Sequence, residues 1–548
     1  MIRPKNVLPA LASLTLALAF GGCASSMESG DAPGGNVGFG GAQDIGQFRD
    51  ILDQGLIPGA STLDANGFFN EHYTELPPAD CGQALCLHGM ASANPSWSES
   101  GSDLVLRLAL NTTIQPEDLQ DKPRDFIVVV DTSGSMAEDD RITYVKQGLD
   151  LLIDELAESD RIGIVSYAST GQVRAELGAV DNVQLHEIVG SLQADGGTNI
   201  YDGLQLGMQM AANNLSAERQ ARVILLSDGN ITAGSGPDQV ATLSETYVAD
   251  GIGLTTIGVG NDFNLDLMKG LAETGSGNFY YVESPEAVTE VFTEELAYFS
   301  QPIALGLEVA VQTTESYRIR GVVGTRQWKN DLTEAGIDPG ADAVGGSVQV
   351  PALFLSSRVD TEPGENGRRG GGSSIYLELD RSGAPAGDSF ATVTASFRLP
   401  GSDEVITQEL VIANPVGDEL PEGGYVSHIE MLKAYAVYNF FVGFRQACQQ
   451  ADSDYDEALV TIQTLRTYAT EWNERVPDAD ISDDLALLDQ FEANLTRDPY
   501  EGGYDENGYD DTYGSDPVMC SASGSSAGGL GFAFLLLGAV MRFRRRVG

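Results

Sequence analysis

From Asp125 to Val282, short apolar runs alternate with stretches whose apolar residues recur every three or four positions. Phe126-Ile-Val-Val-Val130 is one such run; Ile162-Gly-Ile-Val-Ser-Tyr167 and Val223-Ile-Leu-Leu226 are others. A strand covered on both faces needs no polar side, so runs of this kind predict buried parallel strands. Ile142, Val145, Leu149, Leu152, Ile153 and Leu156 instead fall on one helical stripe. Helical spacing returns over 200–215, 240–248, 265–272 and 286–298, with strands expected at 252–259 and 279–282. This alternation over about 175 residues predicts a doubly wound, mostly parallel α/β sheet.

The flanks carry other periods. Leu104, Leu106, Leu108 and Leu110 alternate with Val105, Arg107 and Ala109, which predicts a strand. After Pro302, strands are expected at 307–311, 317–323, 348–355, 375–379, 391–397 and 405–412, separated by Gly-rich turns. Together they predict a β-sandwich with the α/β domain inserted in it or flanked by it. A helical region follows, with Ile429, Leu432, Ala436, Phe440 and Phe444 on one face. The expected segments are a signal peptide (1–22), a flexible linker (23–44), an N-terminal region contributing to the sandwich (45–118) and the α/β domain (119–300). Then come the sandwich (301–415), the helical region (425–497), an acidic spacer (498–519) and a C-terminal segment (520–548). Phe48, Ile51, Leu52 and Leu56 mark a short helix in the N-terminal region, ahead of an aromatic stretch around Phe68, Phe69 and Tyr73.

Both ends read as addresses. Arg3 and Lys5 precede an apolar run from Val7 to Phe20, then Gly21, Gly22 and Cys23, a secretory pattern. It resembles a bacterial lipoprotein signal with Cys23 as the lipidated residue; ordinary cleavage nearby is the alternative. At the other end Cys520 is followed by a Ser/Gly-rich spacer, an apolar run from Leu530 to Met541, and Arg542, Arg544, Arg545 and Arg546. The order resembles the myxobacterial C-terminal sorting signal (MYXO-CTERM), in which the tail is cleaved; a plain tail anchor is the alternative. Either way the expectation is an exported protein, associated with the membrane through its termini and placed at the cell surface, outer membrane or periplasm. In such a compartment cysteines can oxidise, and Cys81 and Cys86 predict a small disulfide loop, with a partnership of either with Cys448 left open.

Composition narrows the function. The 548 residues carry 80 acidic against 31 basic side chains, a net charge of -49. Phosphate binding needs clustered Lys and Arg, so nucleic acid is not an expected partner. The densest basic cluster is the Arg run at the C-terminus, which reads as export machinery. Acidity on this scale with only 6 Lys suggests a salty setting, where screening weakens self-repulsion.

One constellation carries chemistry. The first buried run ends in Asp131-Thr-Ser-Gly-Ser-Met136, and ligands of open α/β sheets bind beyond the carboxyl ends of strands. A second loop, Asp195-Gly-Gly-Thr-Asn199, offers Thr198; a third begins where Val223–Leu226 ends and offers Asp228. Asp131, Ser133, Ser135, Thr198 and Asp228 are hard oxygen donors suited to Mg²⁺, with Mn²⁺ or Ca²⁺ as alternatives. Without His or Cys, zinc and copper are disfavoured.

On these residues the stretch from Asp125 to about Tyr298 resembles a von Willebrand factor A (VWA) domain. Asp131-Thr-Ser-Gly-Ser135, Thr198 and Asp228 match its metal-ion-dependent adhesion site. Asp160-Arg-Ile-Gly-Ile-Val-Ser-Tyr-Ala168 and Gly275-Ser-Gly-Asn-Phe279 extend the likeness to bacterial surface VWA proteins of the YfbK type. The resemblance implies Ser133, Ser135 and Thr198 as hydroxyl ligands, with Asp131 and Asp228 acting largely through water. It also implies a protein partner whose acidic side chain takes the open coordination position. A non-catalytic structural or assembly component, contacting its partners through the flanking domains, is the alternative. No enzyme is expected. His72, His88, His186 and His428 read as scattered surface residues, and Gly524-Ser-Ser-Ala-Gly528 lacks the strand-turn-helix setting of a nucleophile elbow.

Overall fold

The computed structural model describes residues 35–497, apart from 95, 99–101, 103, 116–121, 217, 249–250, 261–262, 276, 283–284, 295–301, 331–342, 357–369, 420 and 422–423. The signal segment with Cys23, the 498–519 spacer and the 520–548 segment with Cys520 lie outside the described residues.

The chain opens with two strands of two residues each, β1 (Val37–Gly38) and β2 (Gly41–Ala42). Helices α1 (Gly46–Asp53) and α2 (Ala65–Glu71) follow, then β3 (Leu85–Ser92) and β4 (Leu104–Thr112). The α/β part begins with β5 (Arg124–Asp131), α3 (Arg141–Glu155), β6 (Arg161–Tyr167), β7 (Gly171–Ala179) and α4 (Asn182–Gly190). It continues through α5 (Ile200–Asn213), β8 (Gln220–Ser227), α6 (Pro237–Val248) and β9 (Gly253–Val259), and closes with α7 (Leu265–Thr274), β10 (Asn278–Val282) and α8 (Pro285–Thr289). Strands β11 (Ala304–Thr313), β12 (Tyr317–Val323), β13 (Lys329–Asn330), β14 (Gly345–Leu355), β15 (Ser374–Arg381), β16 (Ser389–Arg398) and β17 (Val405–Ala413) come next. Helices α9 (Met431–Ala451), α10 (Tyr455–Arg475) and α11 (Ala479–Thr496) end the described chain.

The α/β sheet has the order β2-β10-β9-β8-β5-β6-β7, parallel throughout except for β7. Side chains of a strand alternate between faces, so β5 needs apolar residues at every position to satisfy helices on both sides. Phe126, Val128 and Val130 pack with Val145, Leu149 and Leu152 of α3 and with Phe292; Ile127 and Val129 pack with Leu204 and Met208 of α5. From β5 the chain proceeds to β6 on one side and later to β8 on the other. The end of β5 is therefore the topological switch point at which such sheets open a crevice.

The sandwich pairs a sheet of order β12-β15-β4-β3 with one of order β1-β14-β11-β16-β17, in which β13 also pairs β14. Since β4 precedes the α/β domain and pairs antiparallel with β15 beyond it, the α/β domain is an insertion between sandwich strands. β4 is buried along its whole length. Leu104, Leu106, Leu108 and Leu110 face the sandwich core, whereas Val105 joins a third core made by the helices. That core joins the two ends of the described chain: Phe48 of α1 and Phe68 and Phe69 of α2 meet Phe441 and Phe444 of α9, with ring centroids 5.4–6.4 Å apart.

Several expectations change. Within the supposed linker at 23–44, residues Asn36, Val37, Phe39, Ala42 and Gln43 are buried, because β1 adds to the sandwich beside β14 and β2 to the α/β sheet beside β10. β7 and α4 carry too weak a pattern to be anticipated: as an edge strand, β7 is half-exposed or exposed at every position. α9 buries residues all round instead of on one face, and Ile429 lies ahead of it, 71% exposed. His72 is no surface residue. It is fully buried, with Nε2 2.8 Å from Asp484 Oδ2 and Nδ1 2.6 Å from the Phe68 carbonyl. Cys81 and Cys86 are joined in a disulfide and Cys448 is a free, buried thiol, so the partnership with Cys448 does not form.

The His72–Asp484 contact ties α2 to α11 across 412 residues of sequence. Asp484→Ala strands a buried imidazole and should cost about 3 kcal/mol. A urea midpoint equal to that of the wild type would contradict this. At the junction of α7 with α2 and the sandwich, Glu273 borders a cavity of about 190 Å³ that Asp64, Asn66 and Arg326 also line. Burial, then the charge of Asp64, pushes the Glu273 carboxyl up to about 7. A carboxyl raised on folding contributes stability at low pH that is lost as pH rises through the folded value. Thermal melts of the wild type should therefore fall between pH 4.5 and pH 8, and Glu273→Gln should flatten that fall and melt higher at pH 8.

Candidate metal site at the carboxyl edge of the sheet

β5 delivers Asp131 to the crevice fully buried, and β8 delivers Asp228, also fully buried, directly after its last residue. Two carboxylates on neighbouring strands repel each other, so each must be held by donors. Asp131 accepts from Ser133 N–H at 2.8 Å on Oδ1, and from Ser227 Oγ at 2.6 Å and Tyr167 Oη at 3.1 Å on Oδ2. Burial nevertheless pushes its carboxyl up to about 6, with the charge of Asp228 adding to the rise and the hydrogen bonds of Ser133 and Ser227 opposing it. Asp228 accepts from Asn230 N–H at 3.3 Å on Oδ1, while its buried Oδ2 has no hydrogen-bond donor. The nearest cation to that oxygen is Arg141, whose Nη1 is 3.7 Å away.

The hydroxyls arrive on loops pinned to these carboxylates. Ser133 is buried, its Oγ 3.1 Å from that of the half-buried Ser135, and Met136 anchors the turn by inserting into the core. Gly134 N–H donates to the Gly196 carbonyl and Asp195 N–H to the Thr132 carbonyl, both at 2.9 Å, which fastens the Thr198 loop to the Asp131 loop. Thr198 is itself buried; its N–H donates to Thr232 Oγ1 at 2.8 Å and its carbonyl accepts from Thr232 and Ala233. Beside the site runs a cleft of about 630 Å³ lined by Thr132, Tyr167, Ser169, Gln172, Arg174 and Asp195, among others.

Asp131, Ser133, Ser135, Thr198 and Asp228 thus occupy three adjoining loops at one edge of the sheet. Among the described residues no cluster of three or more His, Cys, Asp or Glu competes as a metal centre. The donor chemistry fits a hard divalent cation: two buried carboxylates, one with an oxygen lacking any donor, and three hydroxyls. Tyr167 and Ser227 were not anticipated as parts of this site. Their signal lies in register: Tyr167 stands directly opposite Asp131 on β6, and Ser227 is the last residue of β8. α5 keeps Tyr167 in place, because Gly203 approaches so closely that a Cβ there would meet the Tyr167 ring at 2.4 Å.

A doubly wound sheet with carboxylate and hydroxyl loops at this edge defines the VWA class. Residues 125–294 match the family model of the von Willebrand factor type A domain, and the chain contains a domain of that family. The uncharacterized protein YfbK of Escherichia coli is 28% identical over 191 residues, 34% of this chain and 33% of the relative. An uncharacterized protein of Synechocystis is 31% identical over 196 residues, 35% of this chain and 45% of the relative. Human inter-alpha-trypsin inhibitor heavy chain H4 is 27% identical over 172 residues, 30% of this chain and 18% of that protein. The chain thus spans less than half the length of these relatives. Among solved structures, a von Willebrand factor type A protein from Catenulispora acidiphila aligns over 76% of this chain and 91% of its own, at 16% identity and a TM-score of 0.45. VWA domains mediate protein–protein interactions and commonly bind a divalent metal.

The raised Asp131 carboxyl gives the site a pH signature. Its stabilising contribution is present at low pH and is lost as pH rises through about 6. In chelator, the melting temperature of the wild type should fall between pH 4 and pH 7; because Glu273 contributes over much of the same window, Asp131→Asn should fall less steeply than the wild type, and Asp131→Asn combined with Glu273→Gln less steeply still. A wild-type profile flat across this window would contradict the assignment.

Proposed function

We propose that this protein is an exported, envelope- or surface-anchored recognition protein that binds a protein partner through Mg²⁺ at the edge of its VWA sheet. The observation that carries the reading is the meeting of Asp131 and Asp228, both fully buried, with three loop hydroxyls where Asp228 Oδ2 lacks a donor. Burying two like charges without a cation is costly, so an arrangement of this kind is suited to holding one. Ser133, Ser135 and Thr198 would supply hydroxyl oxygens, and Asp131 and Asp228 would supply charge, largely through water. The cation, when bound, offers a coordination position to a carboxylate of the partner; Mn²⁺ and Ca²⁺ have the same oxygen preference. Tyr167, Ser227 and the Thr232 hydroxyl orient these groups from behind. The adjoining cleft gives the partner room beside the cation.

Export and anchoring rest on the signal-like segment ending at Cys23 and on the Cys520, apolar and Arg-rich C-terminal order. Among the described residues no helix is long and apolar enough to cross a membrane. The sandwich favours a second reading, an assembly role without the cation, through one feature: edge strand β17 exposes Val405 and Val411 at 60% and 57%.

A pull-down from envelope extract with the full chain separates the two. Partner capture in Mg²⁺ should be abolished by EDTA and reduced at least about tenfold by Asp131→Ala. Capture that survives both treatments would discard the metal-dependent reading and leave the assembly role.

A further inference from the structure

Arg141, the first residue of α3, is only 3% exposed. A buried guanidinium is normally matched by a carboxylate in direct contact. Here Nη1 donates a long hydrogen bond to the Ser135 carbonyl at 3.5 Å and lies 3.7 Å from Asp228 Oδ2, too far for a hydrogen bond. Nη2 donates at 3.4 Å to Oδ2 of Asp139, but that carboxylate is 83% exposed, and Nε has no hydrogen-bond partner. The side chain is nonetheless closely packed. Gly260, at φ +79°, backs onto it so closely that a Cβ would meet Nε at 2.3 Å. Arg141 thus stands as a buried positive charge beside the site carboxylate oxygen that lacks a donor.

We propose that Arg141 is a resident countercharge that sets how tightly the site holds a divalent cation, by competing with it for Asp228. This rests on the metal-dependent reading above. Asp131 and Asp228 bring two negative charges when ionised, and Arg141 offsets one of them. An incoming cation meets a repulsive charge 3.7 Å from Asp228, in a setting where water screens poorly. The site therefore holds its cation loosely on its own. A partner's carboxylate adds the negative charge that Arg141 offsets, so cation and partner bind cooperatively, each raising the affinity of the other. Arg141 touches neither partner nor cation in this account; it is a positioning and tuning residue.

Calorimetric titration of the full chain with Mn²⁺ tests this without any partner. Arg141→Gln should tighten Mn²⁺ binding at least about tenfold, and Arg141→Met, a second neutral variant, should do the same. Arg141→Lys, which keeps the charge, should stay within about threefold of the wild type. A purely structural role for Arg141 predicts the opposite sign, because a disordered loop loses cation affinity. Wild-type binding with unchanged or weaker binding in the neutral variants overturns this inference alone. No Mn²⁺ or Mg²⁺ binding by the wild type or by either neutral variant overturns the metal-dependent reading, and this inference with it.

Discussion

Two buried carboxylates at the ends of adjacent parallel strands, Asp131 and Asp228, set the terms for the whole carboxyl edge of the inserted domain. Desolvation penalises each charge and proximity penalises both together, so everything around them compensates. β6 is registered so that Tyr167 reaches Asp131, Ser227 ends β8 with its hydroxyl on the same oxygen, and the loop of Ser133 folds its own amide back. The second hydroxyl loop is held by main-chain bonds to the first. These contacts pin the carboxylates and the hydroxyl loops to one another, the arrangement on which the proposed cation site depends.

The constraint reaches further through packing. Tyr167 holds its position because α5 presents Gly203 to its ring, and α5 in turn covers the Ile127 and Val129 face of β5. The opposite face rests on α3, the helix that begins with Arg141. Helices on both sides of the central strand thus contribute both to the core and to the electrostatics of its end. The α/β domain meets the sandwich and helical elements through charged contacts, Asp266 with Arg326 and Lys269 with Asp64, and Arg326 also pairs with Asp64.

Much of this was legible in the sequence, and the exceptions have physical causes. The parallel strands stood out because strands covered on both faces read as unbroken apolar runs, as Phe126–Val130 does. The inserted topology followed from finding a sandwich-like strand near Leu104 ahead of the α/β alternation. Asp131, Ser133, Ser135 and Asp228 stood out as candidates because they lie at or just beyond strand ends, and Thr198 because its Gly-Gly-Thr loop opens a helix. Tyr167 and Arg141 were not, since their roles depend on register and on a tertiary approach that leaves no periodic trace. His72 shows the same limit: its partner Asp484 lies 412 residues away, and nothing near either residue announces the pair. β1 and β2 were invisible because two residues are too few to show a period, and glycine surrounds them.

Those two short strands have a mechanical consequence. Within six residues the chain hydrogen-bonds first to the sandwich, antiparallel to β14, and then to the edge of the α/β sheet, parallel to β10. Just ahead, the buried Asn36 amide nitrogen lies 3.0–3.1 Å from the carbonyls of Thr74, Gly370 and Gly371. Tension entering the chain from the side of residue 35 is thus borne by the Asn36 clamp and by two successive strand pairings. Load is shared between the sandwich and the far edge of the sheet, whose opposite half carries β5, so a pull from that end strains the periphery before it disturbs the cradle.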